Sequence, residues 1–425
     1  GPGAPTRMRS AGSGLGLRNL GNACYMNAVV QASMACGTAG RAAEEETTPQ
    51  ATELRRATRD LLRVLLRSRS AAPAGSGTQP TFSPRDFWRA VRNACPAFNN
   101  ARQHDAADFH LGWRRELARL PSAAEPSPAW AAWLAETEMQ VVTYMSCATC
   151  LTTSHNLPAA GEPPRDPERL AMATLQAGTA HSSMADAIGT GSFFGPEDIA
   201  DFRCRACGRH GGVRVAKCRS LPRVLVVWLK RFGVAAGVER RIDAPVNRLG
   251  DDVDLATHLD AGITAPNGTR YRTRAVVCHH GAILAAGHYT CWVRDDDSPG
   301  EAPNAAWTHY DDSAVGRRQD SLPASAAKDA YLVFYELAPF TSGTARGTAH
   351  EAPIEIDEEE ATGGLGGGGA FRPSSAQAGE EREAVIRWAD EPSPVPTPRW
   401  GGVIVCDEPN EEEEDAENDD PMDTD

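Results

Sequence analysis

Residues 16–27 read GLRNLGNACYMN, a segment in which a glycine-containing loop leads to a single cysteine, Cys24. Apolar residues recur after this cysteine with a helical period, because Tyr25, Val29 and Ala32 fall on one face. The pattern predicts a helix with Cys24 in its first turn. At that position the unpaired backbone N–H groups and the positive end of the helix dipole stabilise a thiolate. Cys24 is therefore a candidate nucleophile.

A single cysteine before a helix is, taken alone, better interpreted as a small buried core residue. A second part of the sequence changes that interpretation. His288 follows Gly287 at the start of a predicted strand, and Asp311 lies about twenty residues further on. If the two strands that carry them pair as an antiparallel hairpin, Asp311 lies beside His288 and holds its imidazole in one orientation. In the loop before the cysteine, the Asn19 amide is a candidate oxyanion donor, a contribution of roughly 3–4 kcal/mol in other enzymes.

The remaining pattern divides the chain into a helical front and a strand-rich back. After the first helix, helical periodicity returns at residues 51–67, 84–94 and 105–120. Short runs rich in Val and aromatic residues predict strands at Gln140–Met145, Val224–Leu229, Thr273–Cys278, Tyr289–Arg294, Trp307–Tyr310 and Ala330–Tyr335. Helices followed by strands predict an α+β fold.

Five ordered blocks of the sequence resemble the motifs of the ubiquitin-specific proteases, a family of papain-like cysteine proteases. The blocks are Asn19–Gln31, Gln103–Phe109, Leu221–Phe232, Gly287–Val315 and Ala330–Tyr335. The resemblance covers about residues 15–337 and implies a catalytic domain with thumb, palm and fingers subdomains. The implied activity is deubiquitination, the hydrolysis of the peptide or isopeptide bond after the C-terminal glycine of ubiquitin.

The resemblance also implies a role for each matching catalytic residue. Cys24 would be the nucleophile, His288 the general base and acid, and Asp311 the orienting carboxylate. Asn19 would donate to the oxyanion, and Asp312 would be a supporting second acid.

Four further residues match positions that contact the substrate. Asp105 and Asp108 correspond to acids that face the arginines of the ubiquitin tail, a sensible pairing of carboxylate with guanidinium. Gly287 and Tyr289 flank the catalytic histidine, and the glycine leaves room for a substrate backbone. The departures from the family pattern remove no catalytic group: Ala23 replaces Thr, His104 replaces Gln, Asp108 replaces Glu, and Cys291–Trp292 replaces Ala-Tyr.

Two CxxC pairs predict a metal site, formed by Cys147, Cys150, Cys204 and Cys207. Thiolate pairs at this spacing each grip one edge of a tetrahedral Zn²⁺, although four unligated cysteines remain an alternative. Four Cys ligands leave no open position for water, so the predicted zinc is structural. The pairs lie where the family carries zinc in its fingers. No organic cofactor is expected.

The resemblance and the composition together predict the domain organisation. A flexible N-terminus (1–14) precedes the catalytic domain (15–337), with the thumb at about 15–137, the fingers at about 138–216 and the palm at about 217–337. From Ala338 onward the chain has 23 Asp and Glu against five Arg, which predicts a disordered acidic tail. Within the tail, the segments beginning at Pro353 and Val403 resemble SUMO-interacting motifs, in which a short β-branched run precedes acids. Incidental β-branched residues in a solubilising tail are the alternative.

Composition excludes several other classes of protein. The net charge of −14 comes from the tail, and no basic stripe with interleaved aromatic residues suggests nucleic-acid binding. No apolar run predicts a membrane span, and 11 cysteines without an export signal predict reduced thiols.

The expected protein is an intracellular monomer, nuclear or cytoplasmic, with ubiquitin and ubiquitinated proteins as partners and SUMO as a further partner. A protease for a ubiquitin-like modifier such as SUMO and a catalytically silent ubiquitin-binding scaffold remain alternatives.

Overall fold

The structure is a computed structural model that describes residues 14–48, 51–70, 80–119, 127–155, 168–176, 180–190, 193–235, 238–295 and 306–338. All of them belong to one structural unit, Gly1–Gln377, and a second unit, Ala378–Asp425, lies wholly outside them. The predicted flexible N-terminus (except its last residue), the predicted acidic tail after Ala338 and both candidate SUMO-interacting motifs also lie outside the described residues, so these three remain predictions.

The helices confirm the predicted helical front and add to it. Those in the described residues are α1 (Cys24–Ala35), α2 (Thr38–Glu45), α3 (Glu53–Ser70), α4 (Arg85–Ala94), α5 (Ala106–Ala118), α6 (Pro128–Glu136), α7 (Met184–Thr190) and α8 (Ala326–Asp329). The four predicted helices are α1, α3, α4 and α5. Helix α2 was not predicted because it packs through small residues, Ala39, Ala42 and Ala43, rather than through a stripe of large apolar ones.

The strands confirm all six strand predictions. In chain order they are β1 (Gly16–Leu17), β2 (Thr81–Phe82), β3 (Met139–Cys147), β4 (Thr153–His155), β5 (Glu168–Leu170), β6 (Ala173–Gln176), β7 (Glu197–Arg203), β8 (His210–Ser220), β9 (Val224–Lys230), β10 (Phe232–Ala235), β11 (Val238–Arg241), β12 (Val253–Asp254), β13 (Arg270–Ile283), β14 (Ala286–Arg294), β15 (Trp307–Asp311), β16 (Ala314–Val315) and β17 (Ala330–Leu337).

The larger sheet has the order β16-β15-β14-β13-β17-β9-β6, with β12 paired to β13. Its antiparallel β14–β15 pair places Cys291 opposite Tyr310, which confirms the predicted hairpin between the histidine and aspartate strands. The last strand in the described part of the chain, β17, lies in the middle of this sheet, between β13 and β9.

A second, five-stranded sheet has the order β4-β3-β8-β7, with β5 paired to β3. Its strands fall in the range predicted for the fingers, although β8 continues to Ser220. One strand in that range behaves differently, because β6 pairs in parallel with β9 of the larger sheet. Ala173 and Leu175 are buried in the apolar cluster beneath that sheet, and their burial explains why this segment leaves the fingers. The predicted fingers range therefore contains a segment that is part of the larger sheet.

Helix α1 is the element that positions the site. All 12 of its residues are buried, and it packs against β13, β14 and α5. A helix that is covered on every side is held at a fixed height and rotation. Its N-terminus is thereby fixed at the end of the sheet where β14 begins. No helix in the described part of the chain is both long and apolar enough to cross a lipid bilayer.

Candidate active site

Cys24 is the first residue of α1, as predicted, and its side chain is buried. The loop before it is shaped by Asn19, whose side-chain Oδ1 accepts hydrogen bonds from the backbone N–H groups of Gly21 (3.1 Å) and Ala23 (3.0 Å). Gly21 and Asn22 both have a positive φ, +97° and +51°, a conformation that Gly and Asn adopt more readily than other residues. These bonds turn the chain sharply into the helix and deliver the thiol at its N-terminus.

His288 and Asp311 meet as predicted. The histidine lies near the start of β14 and the aspartate at the end of β15, and His288 Nε2 is 2.6 Å from Asp311 Oδ1. Hydrogen bonding to Cys24, followed by hydrogen bonding to Asp311, raises the pKa of His288 to about 9, against the opposing effect of partial burial. With Nε2 on Asp311, Nδ1 is left for the thiol. A histidine whose pKa lies above neutrality carries a proton at pH 7 and can act as a general acid.

Asp312 holds Asn19 rather than the catalytic histidine. The Asn19 Nδ2 group donates to Asp312 Oδ2 at 2.9 Å, and Asp312 itself has a φ of +48°. Its backbone carbonyl accepts a hydrogen bond from the Leu17 N–H at 2.8 Å. An amide nitrogen carries two hydrogens, so the bond to Asp312 leaves one Asn19 N–H for another acceptor. The predicted oxyanion role of Asn19 and the predicted supporting role of Asp312 both remain predictions.

Position 287 has room for a glycine but not for a larger residue. A Cβ atom at this position would lie 2.6 Å from His279 Nε2 and 2.8 Å from the His280 carbonyl oxygen. Its backbone N–H donates to the Gln103 side-chain Oε1 at 3.0 Å, a contact that links two of the family-like blocks and that sequence reasoning missed. Tyr289 is buried against the His279 ring, with ring centroids 4.6 Å apart. The predicted substrate contacts of Gly287 and Tyr289 remain predictions, and the burial of Tyr289 leaves only its backbone for such a contact in this state.

Asp105 and Asp108 lie in different environments. Asp105 is buried and caps α5, because its Oδ1 accepts from the Ala107 N–H and its Oδ2 accepts from the Tyr331 hydroxyl, both at 2.6 Å. Burial, followed by the charge of Asp108, raises the pKa of Asp105 to about 6. Asp108 is exposed in the first turn of the same helix. Of the two predicted tail contacts, only Asp108 offers a carboxylate at the surface, and both roles remain predictions.

Replacing Asp105 with Asn is expected to stabilise the protein at neutral pH. A buried carboxyl whose pKa rises from 3.8 to about 6 binds its proton more tightly in the folded state. The free energy of unfolding of the native protein therefore falls as pH rises from about 4 to 6, by about 2–3 kcal/mol. The introduced amide carries no charge and keeps its oxygen on the Ala107 N–H, while its Nδ2 group donates to the Tyr331 hydroxyl oxygen instead of accepting from it. Urea unfolding between pH 4 and 7 should show a flatter profile for Asp105→Asn, and a variant less stable than wild type at pH 7 contradicts this.

The four cysteines of the two CxxC pairs come together as predicted. Their Sγ atoms all lie within 4.8 Å of one another, with Cys147 Sγ 3.7 Å from Cys207 Sγ and Cys150 Sγ 3.6 Å from Cys204 Sγ. A tetrahedral Zn²⁺ with Zn–S bonds of about 2.3 Å requires S···S separations of about 3.8 Å. Positive φ angles at Leu151 (+59°) and Gly208 (+69°) form the tight turns after each pair. The donor set and its spacing thus fit one metal ion.

Comparison with known proteins points to the same family of proteases that the sequence motifs resemble. The family model described as ubiquitin carboxyl-terminal hydrolase matches residues 15–335. Ubiquitin carboxyl-terminal hydrolase 2 of Bos taurus is 26% identical over 387 residues, covering 79% of this chain and 57% of that protein. Ubiquitin carboxyl-terminal hydrolase 3 of Homo sapiens is 26% identical over 361 residues, covering 75% of this chain and 67% of that protein. The chain thus spans little more than half the length of the first of these relatives.

A solved structure shows the same fold. The SAGA DUB module Ubp8/Sgf11/Sus1/Sgf73 bound to monoubiquitin contains a chain that superposes with a TM-score of 0.56 at 17% sequence identity. The match covers 76% of this chain and 69% of the other. Because the family model spans most of the chain, including the cysteine, histidine and aspartate of the site, this protein belongs to the ubiquitin carboxyl-terminal hydrolase family.

Proposed function

We propose that this protein is a thiol protease that hydrolyses the bond after the C-terminal glycine of ubiquitin in ubiquitin conjugates. The observation that carries the proposal is the constellation at the N-terminus of a buried helix, where Cys24 interacts with His288 and His288 Nε2 lies 2.6 Å from Asp311 Oδ1. A thiol, a protonated imidazole and an orienting carboxylate in this order are the parts of a cysteine protease. The choice of ubiquitin is supported by the names of the relatives and by the monoubiquitin bound to the structural neighbour.

The reaction begins with the Cys24 thiolate attacking the carbonyl carbon of the terminal glycine. The tetrahedral intermediate places a negative charge on the carbonyl oxygen, which the Cys24 backbone N–H and the remaining Asn19 Nδ2 hydrogen stabilise. The His288 imidazolium then donates its proton to the leaving lysine amine, and the carbon–nitrogen bond breaks. A thioester remains on Cys24.

Hydrolysis of the thioester regenerates the enzyme. Neutral His288 takes a proton from water, the resulting hydroxide attacks the thioester, and the carbon–sulfur bond breaks. The Cys24 thiolate leaves and is paired again with the imidazolium. Asp311 keeps the His288 ring in one tautomer throughout both halves of the reaction. Asp108 is the exposed acid in this proposal that faces the arginines of the ubiquitin tail.

We propose that the four-cysteine cluster holds a structural Zn²⁺. Cys147 ends β3 and Cys150 lies in the turn after it, while Cys204 and Cys207 lie between β7 and β8, so that one ion joins the ends of the fingers sheet. Four thiolates are soft ligands that suit zinc, and they leave no position for a reacting water. When bound, the ion contributes cross-linking and no chemistry at the active site. Binding of SUMO by the tail, a monomeric state and an intracellular location are parts of the proposal supported by sequence alone.

The test of the proposed function is covalent labelling of the full chain with ubiquitin that carries a C-terminal electrophile. One adduct is expected, and it should disappear in Cys24→Ala. The matched control is Cys95→Ala, because burial raises the pKa of the Cys95 thiol to about 12 and keeps it unreactive. A SUMO adduct without a ubiquitin adduct would assign the protein to the other modifier. The absence of any adduct would favour a silent ubiquitin-binding scaffold.

A further inference from the structure

Asn27 connects the nucleophile helix to the aspartate turn. It lies one helical turn after Cys24 in α1, and its side chain is buried. Its Nδ2 group donates to Asp312 Oδ1 at 2.8 Å, and it also lies 3.3 Å from the Leu17 carbonyl oxygen and 3.4 Å from the Arg18 carbonyl oxygen. The amide therefore faces two features: residues 15–18, here called the N-terminal segment, and the Asp312 carboxylate, which follows the catalytic Asp311 in the chain.

The two oxygens of Asp312 accept from two different asparagines. Oδ1 accepts from Asn27, which belongs to a rigid helix, and Oδ2 accepts from Asn19, which belongs to the loop before the nucleophile. Asn27 is buried whereas Asn19 is exposed, so Asn27 is the fixed end of this chain of hydrogen bonds. Without the Asn27 donor, the Asp312 carboxylate loses the contact that sets its rotation, and Asn19 loses a fixed acceptor.

We propose that Asn27 is a positioning residue for the reaction. It holds the Asp312 carboxylate in the orientation that fixes the Asn19 amide, so that the second Asn19 N–H points at the developing oxyanion. This inference rests on the proposed function, in which Asn19 stabilises the tetrahedral intermediate. Such stabilisation depends on donors that are in place before the charge develops, so a loosely held Asn19 contributes less than a fixed one.

Gln31 provides a matched comparison within the same helix. It is a buried amide one turn after Asn27, and its Nε2 donates to the Leu15 carbonyl oxygen at 2.8 Å. Both amides thus attach the N-terminal segment to α1, but it is Asn27 that donates to Asp312. If the attachment of this segment were the whole role of Asn27, the two substitutions would have similar effects.

The experiment measures kcat and KM for hydrolysis of a fluorogenic ubiquitin C-terminal amide by the full chain, together with the rate at which iodoacetamide alkylates Cys24. Asn27→Ala is expected to lower kcat by about 10–100-fold with little change in KM, since the lost stabilisation belongs to the transition state. The alkylation rate should stay close to that of wild type, because alkylation forms no oxyanion. Gln31→Ala should lower the melting temperature and keep kcat near the wild-type value.

A double-mutant cycle tests whether the loss of kcat in Asn27→Ala is transmitted through Asn19. In an Asn19→Ala background, adding Asn27→Ala is expected to cost almost nothing further, because the two residues act through one donor. Additive losses, an equal kcat loss in Gln31→Ala, or alkylation slowed as much as hydrolysis would each overturn the inference. If Asn27→Ala does not fold, Asn27→Ser replaces it in the same cycle, because the serine hydroxyl stops one bond short of the amide nitrogen and loses the 2.8 Å contact with Asp312. Failure of the wild-type protein to hydrolyse the substrate would instead reject the proposed function, and the positioning role with it.

Discussion

Replacing His288 with Gln is expected to lower kcat/KM for a ubiquitin substrate by about 10⁴-fold, the scale of effect seen when one member of a catalytic triad is removed. Two consequences combine in this variant. Cys24 loses the imidazolium with which its thiolate pairs, and the leaving amine loses its proton donor. Because kcat falls through the transition state, KM should change far less.

The loss in His288→Gln has a matched control in the neighbouring strand. His309 lies two residues before Asp311 and stacks on Trp292, with ring centroids 4.3 Å apart. His309→Gln removes an imidazole near the site without removing the one that bonds Asp311, and most of the activity should remain. Steady-state kinetics of the two variants provide the measurement. Equal losses in both, or wild-type activity in His288→Gln, would reject His288 as the general acid and base.

Removal of zinc from the four-cysteine cluster is expected to unfold the outer end of the five-stranded sheet. Metal binding by four thiolates in small zinc domains is worth on the order of 10 kcal/mol, and this free energy is folding free energy. The strands that meet at the cluster have little apolar burial at that end: four of the seven residues of β7 are exposed, and residues 143–146 of β3 and 213–215 of β8 are only partly buried. Hydrogen exchange of residues 139–155 and 197–220 should therefore speed up after chelation, while exchange in β13 and β17 stays slow.

The metal prediction can be checked without measuring activity. Wild-type protein should contain one zinc per chain by elemental analysis, and the double variant Cys150→Ser, Cys207→Ser should contain none. Cys150 and Cys207 are the two exposed members of the cluster, so their replacement leaves the interior packing intact. Cys218→Ala, a change at a buried thiol in β8, is the control that should retain the metal. A metal-free wild-type protein that chelators do not affect would contradict the zinc assignment.

The sequence was informative where one short segment determines its own structure. The period of the residues after Cys24 predicted α1, and the spacing of Gly287–His288 from Asp311 predicted a hairpin that the structure contains. Both are local patterns, contained within about thirty residues. Each CxxC pair is also a local pattern, because the geometry of metal binding fixes the spacing of its two cysteines.

Features that depend on distant contacts were missed. No local pattern shows that β6 joins β9 in parallel, since that pairing is set by burial of Ala173 and Leu175 in a core assembled from the rest of the chain. The burial of Asp105 by Tyr331 joins residues far apart in sequence. The bond from Gln103 to Gly287 is equally remote. A motif match shows which position of the family pattern a residue occupies, but only the three-dimensional structure shows which atoms it contacts.

The central position of β17 has a consequence for synthesis of the protein on the ribosome. Cys24 emerges before His288 and Asp311, which follow more than 260 residues later, and β17 must still insert between β13 and β9 before the sheet is continuous. At a synthesis rate of about 5–20 residues per second, about ten seconds or more separate the synthesis of Cys24 from that of His288 and Asp311. During that interval the thiol has neither the imidazole nor the finished helix environment that activates it. The order of elements along the chain thus delays the appearance of a reactive thiolate until the fold that controls it is complete.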